Sequence, residues 1–144
     1  MTIATRTVEF VIPGRWTPER KRHVRRGNFQ RRVDTSQAAD FKAKVALFAA
    51  QASGSDQPFD EPLRAEIAWV AMKPRSYRKH EGVPWRKPDL DNLCKAVLDG
   101  LTGIVFRDDA QIVELALRKE FGSEEFVLVR VEPGVFEGLG ESVY

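Results

Sequence analysis

At 144 residues, 42% hydrophobic and 31% charged, the chain has the size of one globular domain, 1–144, with a heavily charged surface. Its single cysteine, Cys94, excludes a disulfide framework and a cysteine-rich zinc site, and fits a reducing cytoplasm. No stretch reaches 18 apolar residues and no apolar leader opens the chain, so neither a membrane span nor a signal peptide is expected.

Residues 5–12 are rich in β-formers, with Val8 and Phe10 set against Glu9, and Pro13-Gly14 ends them as a turn. A first strand is expected there. Residues 14–35 show no sustained periodicity and read as a long loop or irregular basic arm. Between 15 and 32 stand Arg15, Arg20, Lys21, Arg22, Arg25, Arg26, Arg31 and Arg32 against one acid, Glu19. Trp16, His23 and Phe29 are interleaved, a mixture that suits phosphate contacts with base stacking. A plain solvated loop is the duller reading.

Thr35 or Ser36 can cap a helix through residues 37–52, where Phe41, Val45, Phe48 and Ala49 make one apolar stripe. Lys42 and Lys44 read as plain surface. Residues 62–72 alternate as a strand, with Leu63, Ala65, Ile67, Trp69 and Ala71 on one face. A second basic segment, 73–87, carries Lys73, Arg75, Arg78, Lys79, Arg86 and Lys87 with Tyr77, His80 and Trp85 among them. Pro74, Gly82 and Pro84 make it a flexible loop. Fourteen of the 23 basic residues thus fall in two segments, while 120–141 holds six Glu against Arg130. The asymmetry points to a polyanionic partner on one side of the molecule.

Residues 87–111 hold two tight acid pairs, Asp89/Asp91 and Asp108/Asp109. Carboxylates this close repel unless a cation or proton sits among them. Between the pairs lies a helix. Pro88 bars helix before it, Asp89 is a good N-cap, and Leu90, Leu93, Val97, Leu98 and Leu101 form its apolar stripe. Asp91, Lys95 and Asp99 share the opposite side. The dull readings are a cap at Asp89 and an Asp91–Lys95 ion pair. Residues 110–121 read as a strand and 125–132 as its hairpin partner, with 133–144 a loosely ordered tail. The expected architecture is α+β: a small mixed or antiparallel sheet, order β-α-β-α-β-β, with helices packed on it.

The acids do not fit other familiar sites. An EF-hand starting at Asp89 needs Gly and Glu where Cys94 and Gly100 stand. A phosphatase-type nucleophile follows a buried apolar strand, whereas Asp89 follows Trp-Arg-Lys-Pro. An all-oxygen donor set favours Mg²⁺ or Mn²⁺ over zinc. With basic loops and a helix lysine, phosphodiester chemistry is the natural use of such a metal.

Lys87-Pro88-Asp89-Leu90-Asp91-Asn92-Leu93-x-Lys95-x-x-x-Asp99-x-Leu101-x-Gly103, followed by Asp108-Asp109-x-Gln111-Ile112, resembles the signature of the RusA family of Holliday junction resolvases, often phage- or prophage-borne. The close match covers 87–111, with Gly100-Leu101-Thr102-Gly103 where the family usually has Ala-Leu-Asn-Gly. The resemblance implies a homodimeric, Mg²⁺-dependent endonuclease that makes paired nicks in four-way DNA junctions, in recombination and repair. It maps the essential acids to Asp89, Asp91 and Asp109 and the motif lysine to Lys95. Asp108 is a further candidate ligand, and Asn92 and Asp99 take supporting roles. The basic residues of both segments would grip phosphates, with Trp16, Phe29, Tyr77 or Trp85 stacking or wedging at the branch. Two alternatives stand beside this: a nuclease selective for flaps and forks, and a non-enzymatic DNA- or RNA-binding module whose acids are caps and salt bridges.

Overall fold

Val8, Phe10 and Ile12 alternate with Glu9, Val11 and Pro13, and the resulting strand β1 (Val8–Pro13) is buried and exposed in strict turn. The computed structural model describes residues 6–16, 21–26, 29–34, 36–134 and 136, with side chains described outside 21–38. The first basic segment is not a loop throughout. Strands β2 (Lys21–Arg26) and β3 (Phe29–Asp34) pair antiparallel as a separate two-stranded sheet. Strands half of whose residues are Lys or Arg show no apolar alternation, so periodicity could not reveal them.

Helix α1 (Ser36–Ser53) buries Phe41, Val45 and Ala49, and Phe48 packs at the margin. Strand β4 (Leu63–Ala71) places Leu63, Ala65, Ile67, Trp69 and Ala71 in the core, as its alternation predicts. Ala68 and Val70, on its other face, are buried as well. A strand buried on both faces belongs inside a sheet rather than at its edge.

The strand order overturns the expected hairpin. Strand β5 (Ile112–Phe121) and strand β6 (Phe126–Pro133) do not pair with each other. The sheet order is β1-β6-β4-β5, with β4 between them: β5 parallel to it, β6 antiparallel. The parallel pairing needs a crossover, and helix α2 (Leu90–Leu101) lies within it. Residues 122–125 then step across the end of β4. Gly122 N donates to Ala71 O at 2.9 Å, and a Cβ on Gly122 would lie 2.5 Å from Val70 Cγ1. Only glycine passes so close to β4. Of the tail, Pro133 closes β6, while 137–144 lie outside the described residues.

The fold is therefore α+β, two helices on one face of a mixed four-stranded sheet. Its core joins Val8, Phe10 and Ile12, Val127, Val129 and Val131 to Leu93, Val97 and Leu101 of α2. Each such side chain contributes about 1.5–3 kcal/mol on full burial. Gly100 lets the two helices touch, since a Cβ there would fall 2.7 Å from Val45 Cβ. The opposite sheet face is kept polar by charge pairs such as Arg64–Glu114 at 2.7 Å and Arg118–Glu120 at 2.9 Å. Among the described residues no helix is long and apolar enough to cross a membrane.

Candidate active site

Helix α2 begins where the sequence places it. Asp89 is the N-cap residue, with extended backbone at φ −83° and ψ 142°. Its carboxylate does not cap the helix, however. It turns outward to Lys87, whose Nζ donates to Asp89 Oδ2 at 2.6 Å. That contact holds the Lys87 ammonium above its ordinary pKa. Asp91, in the first turn, and Lys95 are exposed. The expected Asp91–Lys95 ion pair is not formed, so Lys95 is not positioned by Asp91. Asp99 pairs instead with Lys42 of α1 at 3.5 Å, which gives that lysine more than a surface role.

The second acid pair splits into two jobs. Asp108 caps a short 3-10 turn, Asp109–Gln111, its Oδ1 accepting from Ala110 N at 2.8 Å. Gln111 Oε1 accepts from the backbone N–H of Asp108 at 3.0 Å and of Arg107 at 2.9 Å. Gln111 Nε2 donates to Phe59 O at 2.9 Å and Glu61 O at 3.2 Å, fastening the turn to the chain before β4. Asp109 is thus presented from a rigid turn, exposed, with Asp108 committed to holding that turn.

Cys94 links the two ends of the motif. Burial pushes its thiol above the ordinary value, and Asp109 and Asp91 push it further. Two carboxylates separated by a whole helix in sequence therefore bear on one half-buried thiol. Among the described residues no three acid, His or Cys side chains are gathered as a finished metal cage. The donor chemistry nevertheless suits a hard divalent cation: exposed carboxylates from a helix start and a fastened turn, with Asp89 now neutralised by Lys87.

The loop before α2 is folded rather than flexible. Glu81 is its hub, accepting from Arg78 N at 2.6 Å and from Trp85 Nε1 at 3.1 Å, with Arg86 at 3.4 Å. The Arg78 amide is the main reason that the Glu81 carboxyl sits below its ordinary value. Arg86 stacks on Tyr77 at 4.4 Å and on Trp85 at 5.3 Å, and its own N–H donates to Tyr77 Oη. Tyr77 stands edge-on to Phe121 at 5.0 Å. Lys73 donates to Lys79 O and lies 5.8 Å above the Phe121 ring. Arg86, Lys73 and Tyr77 are therefore building the loop, while Arg75, Arg78, Lys79 and Lys87 present exposed charge.

Among the aromatic candidates, Trp16 is corrected: it is 3% exposed and packs on Phe41 and Trp69 in the core, beyond the reach of a DNA base at the surface. Trp85 is 64% exposed and keeps the stacking role open. Arg15 is exposed. Arg20, and the side chains of Lys21, Arg22, Arg25, Arg26, Phe29, Arg31 and Arg32, lie outside the described residues, although the backbone sets β2 and β3 side by side.

Two positioning residues escaped the sequence. Lys119 Nζ donates to Arg86 O at 2.8 Å and Pro88 O at 2.9 Å, tying β5 to the backbone just before Asp89. Its signal was a lysine in register with Trp69, on the core-facing parity of Leu115, Leu117 and Phe121. Gln111, present in the motif, had no role until its clamp on the 3-10 turn was visible.

The family model described as Endodeoxyribonuclease RusA matches residues 13–132. The uncharacterized protein YqaN of Bacillus subtilis (strain 168) is 29% identical over 117 residues, covering 75% of this chain and 82% of that relative.

Proposed function

Since this chain belongs to the RusA family of endodeoxyribonucleases, we propose that it resolves four-way DNA junctions by paired, symmetric hydrolytic nicks, with Mg²⁺ or Mn²⁺ as cofactor. The observation that carries the reading is the family match over residues 13–132, and the charges of Asp109 and Asp91, which both raise the pKa of Cys94 beside a folded basic loop, support it. Asp89, Asp91 and Asp109 would hold the metal. When bound, it supplies charge neutralisation at the scissile phosphate and a more acidic water.

The chain's own residues do the rest. Lys95, exposed on the side of α2 that bears Asp91, offsets phosphate charge and donates a proton to the departing oxygen. Lys87 leaves Asp89 for a phosphate as DNA arrives. Arg75, Arg78 and Lys79 meet the backbone further out, an interaction that salt weakens. Hydrolysis forms one P–O bond to the water oxygen and breaks one, leaving a nick. Two matched nicks call for two sites, hence a two-fold dimer. Val113 and Leu115, 57% and 40% exposed on edge strand β5, offer it an apolar surface.

Cleavage of a synthetic four-way junction, a flap and a plain duplex, each with and without Mg²⁺, tests the proposal. The wild-type protein is expected to cut the junction symmetrically and only with the metal. Asp91→Asn is expected to bind it without cutting. Full cleavage by Asp91→Asn would remove the metal site, and equal rates on all three substrates would remove the junction specificity.

A further inference from the structure

The four-stranded sheet ends on two unlike edges. β1 is six residues long and closes on Pro13, a residue that cannot donate to a further strand. β5 is ten residues long, holds no proline and is paired on one side only, to β4. Four successive residues, Val113 to Ala116, are exposed, so both faces of the strand are open there. Leu115 is 40% exposed although it stands in register with buried Ala65. An edge of this kind is a template for another strand.

Charge narrows what that strand is. Two copies related by a two-fold axis through the sheet would pair β5 antiparallel, with opposed side chains on one face, so each register is centred on one residue. A bulge beside Val113 bounds the regular strand at Glu114, since Leu63 stands opposite Ile112 and Arg64 opposite Glu114. A register centred on Glu114, Arg118, Lys119 or Glu120 sets a charge against its own copy. Centred on Leu117, it sets Glu114 against Glu120. Centred on Leu115 or Phe121, the overlap runs off the end of the regular strand. Centred on Ala116, it sets Glu114 opposite Arg118 and Leu115 opposite Leu117, each on both sides of the axis. Within one chain Glu114 pairs with Arg64 at 2.7 Å, and Arg118 pairs with Glu66. The Ala116 register extends these pairs into a row of alternating sign across four strands. It runs from Arg64 and Glu114 of one copy to Arg118 and Glu66 of the other. Opposite charges set across strands are stabilising and like charges are not.

We propose that two copies of this chain join through β5, edge to edge about Ala116, so that their two sheets become one. The proposal rests on the endonuclease reading above, whose paired nicks need two sites, and it names the surface and register that hold them together. β5 is fastened to the acids at both ends. The turn that presents Asp109 leads into it, and Lys119 Nζ donates to Pro88 O just before Asp89. Pairing the two strands therefore fixes one acid site relative to the other.

The test is sedimentation of the full chain in chelator, with and without a four-way junction. The wild-type protein is expected to be a dimer. Glu114→Arg and Arg118→Glu each place like charges opposite one another on both sides of the axis, and each alone should weaken self-association about tenfold. Mixed together, the two variants complement each other, so the mixture should recover both the wild-type affinity and symmetric nicking. Thermal melting checks that each is folded. Should either fail to fold, Ala116→Cys in a Cys94→Ser background decides the matter. Lying on the axis, it should join two copies through a short bismaleimide, whereas Val11→Cys, exposed on β1, should not. A wild-type protein that stays monomeric even on the junction overturns the interface. So do folded single variants that associate as the wild type does, a mixture that recovers nothing, or no cross-link at 116. If the wild-type protein still nicks junctions, that failure leaves the nuclease reading standing. If the dimer forms in this register but no branched DNA is cut, the nuclease reading falls and the interface stands.

Discussion

The Lys87 ammonium lies 2.6 Å from Asp89 Oδ2, on the far side of Pro88 from it in sequence. A protein cation thus occupies a carboxylate proposed as a metal ligand. Lys87→Gln should strengthen Mn²⁺ binding, measured by calorimetry, because the ammonium no longer competes. It should also lower the salt dependence of DNA binding by about one unit of slope. The melting temperature should not change, since exposed ion pairs contribute little.

Asp108 and Asp109 are neighbours with different work. Asp108→Ala loses the cap of the 3-10 turn and should cost about 1 kcal/mol of stability by denaturant melting, whereas Asp108→Asn keeps an oxygen that accepts from Ala110 N–H and should melt near the wild type. Nicking should persist in both variants at a reduced rate. Asp109→Asn should melt as the wild type does and nick no junction. Equal loss of nicking in the Asp108 and Asp109 asparagine variants would show that both are ligands.

Cys94 reports on the acids without any DNA. Its pKa is raised by burial, then by Asp109 and Asp91, so the thiol stays protonated to higher pH than usual. The pH–rate profile of alkylation should therefore have its midpoint above the ordinary value of 9.0. Asp109→Asn removes one anion, stabilises the thiolate and should move the midpoint down. An unmoved midpoint would separate Asp109 from this neighbourhood.

Gly100 reverses the usual rule that alanine improves a helix. Propensity alone would favour Gly100→Ala by about 1 kcal/mol. The added Cβ would meet Val45 at 2.7 Å, so the net effect should be destabilising by about 1–3 kcal/mol. Val45→Ala should recover part of the loss in the double variant.

The tryptophans should separate cleanly. Trp16→Ala empties the core beside Phe41 and Trp69 and should cost about 3–5 kcal/mol. Trp85→Ala should leave the melting temperature near that of the wild type and weaken junction binding by about 1–3 kcal/mol, the worth of one stacked base.

The legible parts of this protein were those whose apolar residues keep time. The alternation of β1 and β4 and the stripe of α2 located both the core and the helix that carries Asp91 and Lys95. The family resemblance, not spacing, is what singled out Asp109 beside Asp91. The basic pair β2 and β3 was hidden because half of its strand residues are Lys or Arg and no apolar alternation runs through them. The partner of β6 was misjudged because proximity in sequence favours a hairpin, whereas β4 inserts between β5 and β6. The fate of Trp16 depended on tertiary packing that a count of aromatics among basic residues does not contain.

The strand order has a consequence for how the chain reaches its folded state. β1 pairs only with β6 within the sheet, Val8 opposite Val131 and Pro13 opposite Phe126. As the chain leaves the ribosome, β1 must wait for β6 before it finds its partner in the sheet. Until then β4 lacks its antiparallel neighbour and the inner face of β1 stays open to water. Such long-range closure slows folding and prolongs exposure to aggregation. The sheet that carries the nuclease is sealed by its two outermost strands in the sequence, and any message cut short before residue 126 would release a chain unable to close it.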